Sequence, residues 1–259
     1  MIPITSKENK TLKLMRSLHK KKGRTESGLF FAEGARLVKE ALQYCGDELK
    51  FVIVSDEFAA RNKELVAGLD AAGKSVYNTT EGLFKDICTT ETPQGIAAAI
   101  GIPKSMPVIG KDEDFVLILD GVSEPGNMGT IIRTAEAAGV DAVILTKGCV
   151  DLYSPKVVRS TMGSVFRMKC IINAEADMIS GLKEQGFTIA ATALRDSVEI
   201  DSAKIDGKRA LIIGSEAFGV SDGLLKLSDI RIRIPMLGKA ESLNAAVAAG
   251  ISMYSLRTK

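Results

Sequence analysis

The apolar positions of this chain keep two different rhythms, loose and short up to about residue 100 and strongly α/β-like after residue 115. Leu12, Met15 and Leu18 recur at three-residue steps with Lys and Arg between them, which predicts a short amphipathic helix with a basic outer face. A second helical pattern runs over 33–44 and ends near Gly46. The runs 51–55 (FVIVS), 75–78 and 94–100 (QGIAAAI) read as strands, so the first hundred residues predict a small α/β layer structure. Residues 101–114 carry Pro103, Pro107, Gly101, Gly110 and a cluster of charges, which places a linker over 103–114. Beyond it, 115–120 (FVLILD) is an unbroken apolar run ending in an acid, the pattern of a buried parallel strand. A helix over 127–138, a strand over 142–146 and a helix over 154–166 follow, the last opened by Ser154 as cap with Pro155 in its first turn. Strands over 187–194, 210–214 and 231–236 and a terminal helix over 242–256, capped by Ser242, complete the pattern.

Composition narrows the chemistry. A hydrophobic fraction of 46% and a charged fraction of 25% are ordinary globular usage. The net charge of +2 is small, but the first 25 residues concentrate cations, among them Lys20, Lys21, Lys22 and Arg24, against Glu8. That basic start suits phosphate; it is equally the pattern of a solvated helix end. Cys45, Cys88, Cys149 and Cys170 lack paired spacing, so neither a zinc site nor a disulfide framework is expected. Free thiols point to a reducing, cytoplasmic compartment. The single histidine, His19, lies in a polar stretch where exposure is expected, and it leaves no set of imidazoles to hold a metal. The start MIPITSKENK lacks the apolar core of a signal peptide. No apolar stretch reaches the length of a membrane span.

Three later segments carry chemistry. In 120–139 (DGVSEPGNMGTIIRTAEAAG) a strand runs through a Pro/Gly loop into a helix whose N-terminal N–H groups face an anion, with Arg133 further along. In 211–219 (LIIGSEAFG) a strand ends at Gly214, with Glu216 and Gly219 in the loop beyond. In 234–254 (IPMLGKAESLNAAVAAGISMY) a loop leads into a helix rich in alanine, fit for close packing or a subunit interface. Each alone is also compatible with an ordinary βα turn. None is a G-x-G-x-x-G fingerprint or a P-loop, so nicotinamide, flavin and nucleoside triphosphate have no support here.

Taken together and in order, the three segments resemble the motifs of the SpoU family of RNA 2′-O-methyltransferases, within the SPOUT superfamily. Asn127, Gly129, Arg133, Glu136 and Gly139 stand at motif-one positions, Gly214, Glu216 and Gly219 at motif-two positions, and Ile234, Pro235, Met236, Ser242, Leu243 and Asn244 at motif-three positions. The basic start, 28–34 (GLFFAEG) and 92–96 (TPQGI) are similar to the family's N-terminal substrate domain. The resemblance implies an α/β fold: a parallel-sheet SPOUT catalytic domain over 115–259 with a C-terminal trefoil knot, and a ribosomal-protein-like RNA-binding domain over 1–102. It implies a homodimer and S-adenosylmethionine as methyl donor, held by Gly214, Ile234 and Leu243 through backbone groups, with Met236 and Gly219 lining the same pocket.

The resemblance also implies the catalytic set Arg133, Asn127, Glu216, Ser242 and Asn244. The family is proposed to use Arg133 as base, but a guanidinium stays protonated in proteins. Binding the neighbouring phosphate and stabilising a developing alkoxide is the physically sounder role. Asn127, Ser242 and Asn244 are expected to orient Arg133 or the ribose, and Glu216 to order its loop, by pairing with an arginine. The segment 153–166 (YSPKVVRSTMGSVF) fits the family too, with Lys156 and Arg159 as candidate RNA contacts or ordinary exposed cations. Ribosomal RNA is the favoured substrate, since a substrate domain can hold a structured stem. The alternatives are transfer RNA, a base methyltransferase, and a non-catalytic ribosome-assembly factor.

Overall fold

The computed structural model describes residues 1–105 and 107–257. In chain order the elements are β1 (Ile2–Ile4), α1 (Lys10–Ser17), α2 (Lys21–Ser27), β2 (Leu29–Glu33), α3 (Ala35–Tyr44), β3 (Leu49–Ser55), α4 (Asp56–Arg61), α5 (Lys63–Ala71), β4 (Ser75–Thr79), α6 (Glu81–Lys85) and β5 (Ile96–Gly101). They continue with β6 (Phe115–Asp120), α7 (Pro125–Ala137), β7 (Ala142–Thr146), α8 (Pro155–Ser160), β8 (Lys169–Ala174), α9 (Ala176–Glu184), β9 (Thr188–Thr192), β10 (Val198–Glu199), β11 (Arg209–Gly214), α10 (Asp222–Leu227), β12 (Ile230–Arg233) and α11 (Ala245–Arg257). Two compact units result: Met1–Lys104 with Asp151–Phe166, and Ser105–Val150 with Arg167–Lys259.

In the first unit a five-stranded sheet runs in the order β1-β4-β3-β5-β2. β1, β4 and β3 are parallel, and β5 lies antiparallel to both β3 and β2. Side chains alternate across the sheet with period two. Phe30, Val52, Val54, Ile96, Ala98 and Ile100 join a core with Val38, Leu69 and Val158. Phe31, Ile53, Ala97 and Ala99 meet Leu12, Met15 and Phe84 on the other face. Residues 151–166, which the sequence pattern groups with the later domain, thus belong to the first unit's core. Phe30 packs 4.8 Å from the ring of Tyr153 and 6.2 Å from that of Phe166.

Three local expectations are corrected here. The helical pattern from 33 begins in a strand: β2 ends at Glu33, and Gly34 at φ 107 turns the chain into α3. Phe30 and Phe31 serve opposite faces, which hides the strand's alternation. The helix expected over 154–166 stops at Ser160, because Met162 (φ 53) and Gly163 (φ 105) leave the helical region. Ser154 holds its cap position without a side-chain capping bond. His19 is half-buried rather than exposed: its Nε2 lies 3.0 Å from the Ile87 carbonyl and its ring meets the edge of Phe31 at 5.0 Å. Burial holds its imidazole below the ordinary value.

The second unit is a seven-stranded sheet in the order β10-β12-β9-β11-β6-β7-β8, every pairing parallel. Both faces of its central strands are covered, which is why β6, β7 and β11 read as continuous apolar runs. β12 ends at Arg233, short of the expected 236, since Pro235 has no N–H to continue a ladder. α11 packs against α7 and β11. A Cβ built on Gly250 would meet Thr134 Cγ2 at 3.5 Å, so the small residues do bring the two helices close. The far end of α11 is tethered by Arg209, whose Nη1 donates to the Leu256 carbonyl at 2.6 Å, and by Arg257, which donates to Asp114 at 2.9 Å.

Candidate active site

β6 and β11 lie side by side in register, with Gly214 opposite Asp120. After β6 the chain adds β7 and β8 on one side, then returns to build β9 and β12 on the other. The carboxyl ends of β6 and β11 therefore mark the switch point of a parallel sheet, the place where such folds bind ligands. Asp120 fastens the loops there. Its Oδ1 accepts from Thr146 Oγ1 at 3.1 Å and its Oδ2 from the Ser221 amide at 2.8 Å. Thr146 Oγ1 also accepts from the Gly121 amide at 3.2 Å.

The loop after β11 is closed on itself. Ser215 and Gly219 exchange two backbone hydrogen bonds of 3.0 Å. A Cβ at Gly214 would lie 2.0 Å from the Gly219 carbonyl carbon, so only glycine allows this closure. At the tip Glu216 reaches back across the switch point. Its Oε2 accepts from the Ser123 amide at 3.2 Å, and its Oε1 from the Glu124 amide at 3.3 Å and from Asn127 Nδ2 at 2.8 Å. Partial burial would raise this carboxyl, but the hydrogen bonds from Asn127 and the backbone outweigh it and hold the group below its ordinary value.

Asn127 then passes the connection on. Its Oδ1 accepts from Asn244 Nδ2 at 2.9 Å, and Asn244 Oδ1 accepts from the amides of Ala246 at 2.9 Å and Val247 at 3.4 Å. Asn244 therefore caps α11, not Ser242 as the pattern suggests. Loops distant in sequence are tied by one polar chain, Glu216–Asn127–Asn244. Two further expectations change. Among the described residues Glu216 pairs with no arginine; an arginine partner belongs to Glu136, clasped by Arg167 through Nε to Oε1 and Nη2 to Oε2, the latter at 2.9 Å. The anions at the start of α7 are the protein's own: the capping Glu124, which accepts from the Gly126 amide at 3.3 Å, and Glu216 beside it, both at the positive end of that helix.

Arg133 stands outside the polar chain. It is exposed on α7, on the face shared with Gly126, Gly129 and Thr130, and has no side-chain partner among the described residues. Ser242 is likewise exposed and makes no hydrogen bond among the described residues. Ile234, Met236 and Leu243 are half-buried in the loop between β12 and α11. Asp120, Thr146 and Ser221 were not picked out as site residues by sequence, although an acid closing an apolar strand was visible. All four cysteines are free thiols, and burial raises each, Cys45 to about 11 and Cys170 to about 12.

Among the RNA candidates, Lys20, Lys21 and Lys22 are exposed, with Lys22 3.7 Å from Glu26. Arg24 is not part of that exposed face. It is 4% exposed, and its guanidinium pairs with Asp151 at 2.6 Å and donates to the Leu18 carbonyl at 2.7 Å. A charge in that position is tolerated because the partly buried Asp151 and the Leu18 carbonyl satisfy it. Lys156 is exposed, whereas Arg159 is partly buried and donates to Thr89 Oγ1 at 3.1 Å.

Residues 114–254 match the model of the SpoU rRNA Methylase family. The chain belongs to this family. Residues 9–98 of this SpoU methylase match a second model, the MRM3-like substrate binding domain. It is 38% identical over 257 residues to the 23S rRNA (guanosine(2553)-2′-O)-methyltransferase RlmP of Bacillus subtilis, covering 99% of this chain and 100% of that one. Its fold is similar to the AdoMet-bound rRNA methyltransferase of Sinorhizobium meliloti, with a TM-score of 0.88, 33% identity, and 99% and 97% of the two chains covered. The SpoU methyltransferase AviRb of Streptomyces viridochromogenes, in complex with AdoMet, gives a TM-score of 0.83 at 25% identity, over 96% and 98% of the chains. This SpoU methylase is an enzyme that transfers a methyl group from S-adenosylmethionine to a ribose 2′-oxygen of RNA. The assembly-factor alternative without catalysis is set aside.

Proposed function

We propose that the substrate is large-subunit ribosomal RNA and that Arg133 is the catalytic residue. The observation that carries the assignment of the site is the Glu216–Asn127–Asn244 chain, which holds the three motif loops together at the carboxyl ends of β6 and β11. The half-buried Ile234, Met236 and Leu243, with the glycine backbone at 214 and 219, suit an adenosyl group that needs an apolar bed and close main-chain approach. The bound donor supplies an electrophilic methyl group. Arg133 binds the phosphate beside the target ribose and stabilises negative charge as it builds on the 2′-oxygen. Being permanently protonated, it serves as an electrostatic group, not as the base; the proton of the 2′-hydroxyl passes to the neighbouring phosphate as the methyl–oxygen bond forms and the methyl–sulfur bond breaks. Asn127 and Asn244 hold the walls of the site, and Ser242 donates to the ribose or its phosphate.

The substrate domain over 1–102 presents Lys20, Lys21 and Lys22 to the RNA, and α8 adds Lys156 and Arg159. We take the passage from β12 to α11, which returns across the sheet to pack on β11 and α7, as the trefoil knot. The exposed face of α11 formed by Val247, Ile251 and Tyr254 is the proposed homodimer contact, since their spacing puts three large apolar groups on one stripe. Free thiols fit the reducing cytoplasm. The likeness to RlmP of Bacillus subtilis and to the rRNA methyltransferase of Sinorhizobium meliloti favours ribosomal RNA, and labelled donor offered with unmodified large-subunit RNA or with transfer RNA tests this. Label entering the ribosomal transcript supports the reading; label entering transfer RNA alone replaces it.

A further inference from the structure

The first unit holds a cavity of about 180 Å³. Three sequence segments that the methyl-transfer site does not use converge on it. The GLFFAEG segment contributes Glu33 and Gly34, the TPQGI segment contributes Thr92 and Gln94, and the segment after β7 contributes Arg159 and Met162. Leu37 gives it an apolar wall and Arg36 a cation at its mouth. An engineered apolar cavity of about 150 Å³ accepts a benzene-sized ring, so this space suits one planar base.

The lining is built, not incidental. Glu33 is turned inward, its carboxylate accepting from the Thr89 amide and hydroxyl at 3.1 Å each and from the Thr90 hydroxyl. The negative charge is thereby spent on the loop at 89–90. Arg159 braces the same loop through Thr89. Gln94 Oε1 accepts from the Ala35 amide at 3.0 Å and lies 3.2 Å from where a Gly34 Cβ would stand. Met162 sits in the left-handed region, rare for a residue with a side chain, and Gly163 beside it is at φ 105, with Glu40 Cγ tight against its Cβ position at 3.0 Å. Strain of this kind is kept where a site requires it. Arg36 is exposed and has no side-chain partner among the described residues.

We propose that this cavity is a nucleotide subsite for the RNA substrate, taking one unstacked base against Leu37 and Met162 with its phosphate on Arg36. It rests on the RNA-methylating function stated above and deepens it by naming where the substrate domain grips. Single-stranded bases are read in this way, by splaying out of the stack into a pocket, while the phosphate contact fixes register.

The test uses the full chain and a large-subunit ribosomal RNA transcript carrying 4-thiouridine, photo-crosslinked and read by peptide mass spectrometry. Crosslinks within 33–37, 90–94 or 159–162 are expected, and crosslinks confined to other peptides overturn the subsite. In parallel, Arg36→Ala is measured by RNA binding, without methylation. Loss of about tenfold to a hundredfold in RNA affinity is expected, the weight of one charge-assisted contact, with partial recovery in Arg36→Lys and no change in donor affinity. Unchanged RNA affinity, or a fall in donor affinity of the same size, overturns the proposal. Methyl transfer by the unsubstituted chain is followed separately, so failure of the subsite is distinguishable from failure of the ribosomal RNA reading.

Discussion

Arg133 and Glu216 show how differently two charged residues of the proposed site are handled. Arg133 projects from α7 with no side-chain partner among the described residues, and in the proposed mechanism it takes an anionic partner from the substrate. Arg133→Ala is expected to lower turnover by about 10²–10³-fold, the usual weight of one donor to a developing oxyanion, while leaving the melting temperature and donor affinity unmoved. A variant that kept full turnover would remove Arg133 from the chemistry. Glu216 is instead consumed by the protein, accepting from Asn127 and two backbone amides. Its folded-state carboxyl lies below the ordinary 4.5, so its stabilisation is complete above that pH and is lost as pH falls beneath it. In Glu216→Gln the acid limb of the stability–pH curve should be shallower than in the parent, as followed by denaturation between pH 5 and pH 3 (roughly the window of carboxylate titration). These roles were only partly legible in the sequence. The motif resemblance singled out both residues, yet an acid in a loop does not announce whether its partner is an arginine or a backbone amide. Arg24 was misleading for the same reason: its counter-charge, Asp151, lies 127 positions away.

At the level of elements, the loop after β11 depends on one residue without a side chain. Gly214→Ala would push a methyl group to 2.0 Å from the Gly219 carbonyl carbon, and backbone cannot yield as a flexible side chain can. Destabilisation of about 1–3 kcal/mol is expected by analogy with overpacking, measured by chemical denaturation, with weakened donor binding by titration. Stability equal to the parent would contradict the closed loop. Strands covered on both faces were the easiest elements to read: β6 and β7 match the expected 115–120 and 142–146. Short or edge elements such as β1, β10 and α2 carry too few residues to show a period. The helix from 154 was overextended because nothing in the composition of STMG reveals that Met162 leaves the helical region.

For the whole molecule, the chain divides after Lys104, and contiguity along the chain concealed that 151–166 returns to the first unit. Apolar periodicity marks what is buried without telling which core it is buried in. It also leaves open which exposed apolar stripes meet another chain. Val247, Ile251 and Tyr254 are 50%, 40% and 51% exposed. Ile251→Glu should convert a dimer to a monomer in light scattering after size exclusion, and a parent already monomeric at working concentration would sink the proposed contact. The central claim, methylation at the ribose oxygen, has a direct physical signature. A 2′-O-methyl group removes the nucleophile that cleaves RNA in alkali. After reaction with S-adenosylmethionine, large-subunit ribosomal RNA should therefore show one missing rung in its alkaline ladder, absent when Arg133→Ala replaces the parent. A complete ladder from RNA that has nonetheless taken up labelled methyl would place the group on a base and contradict the account.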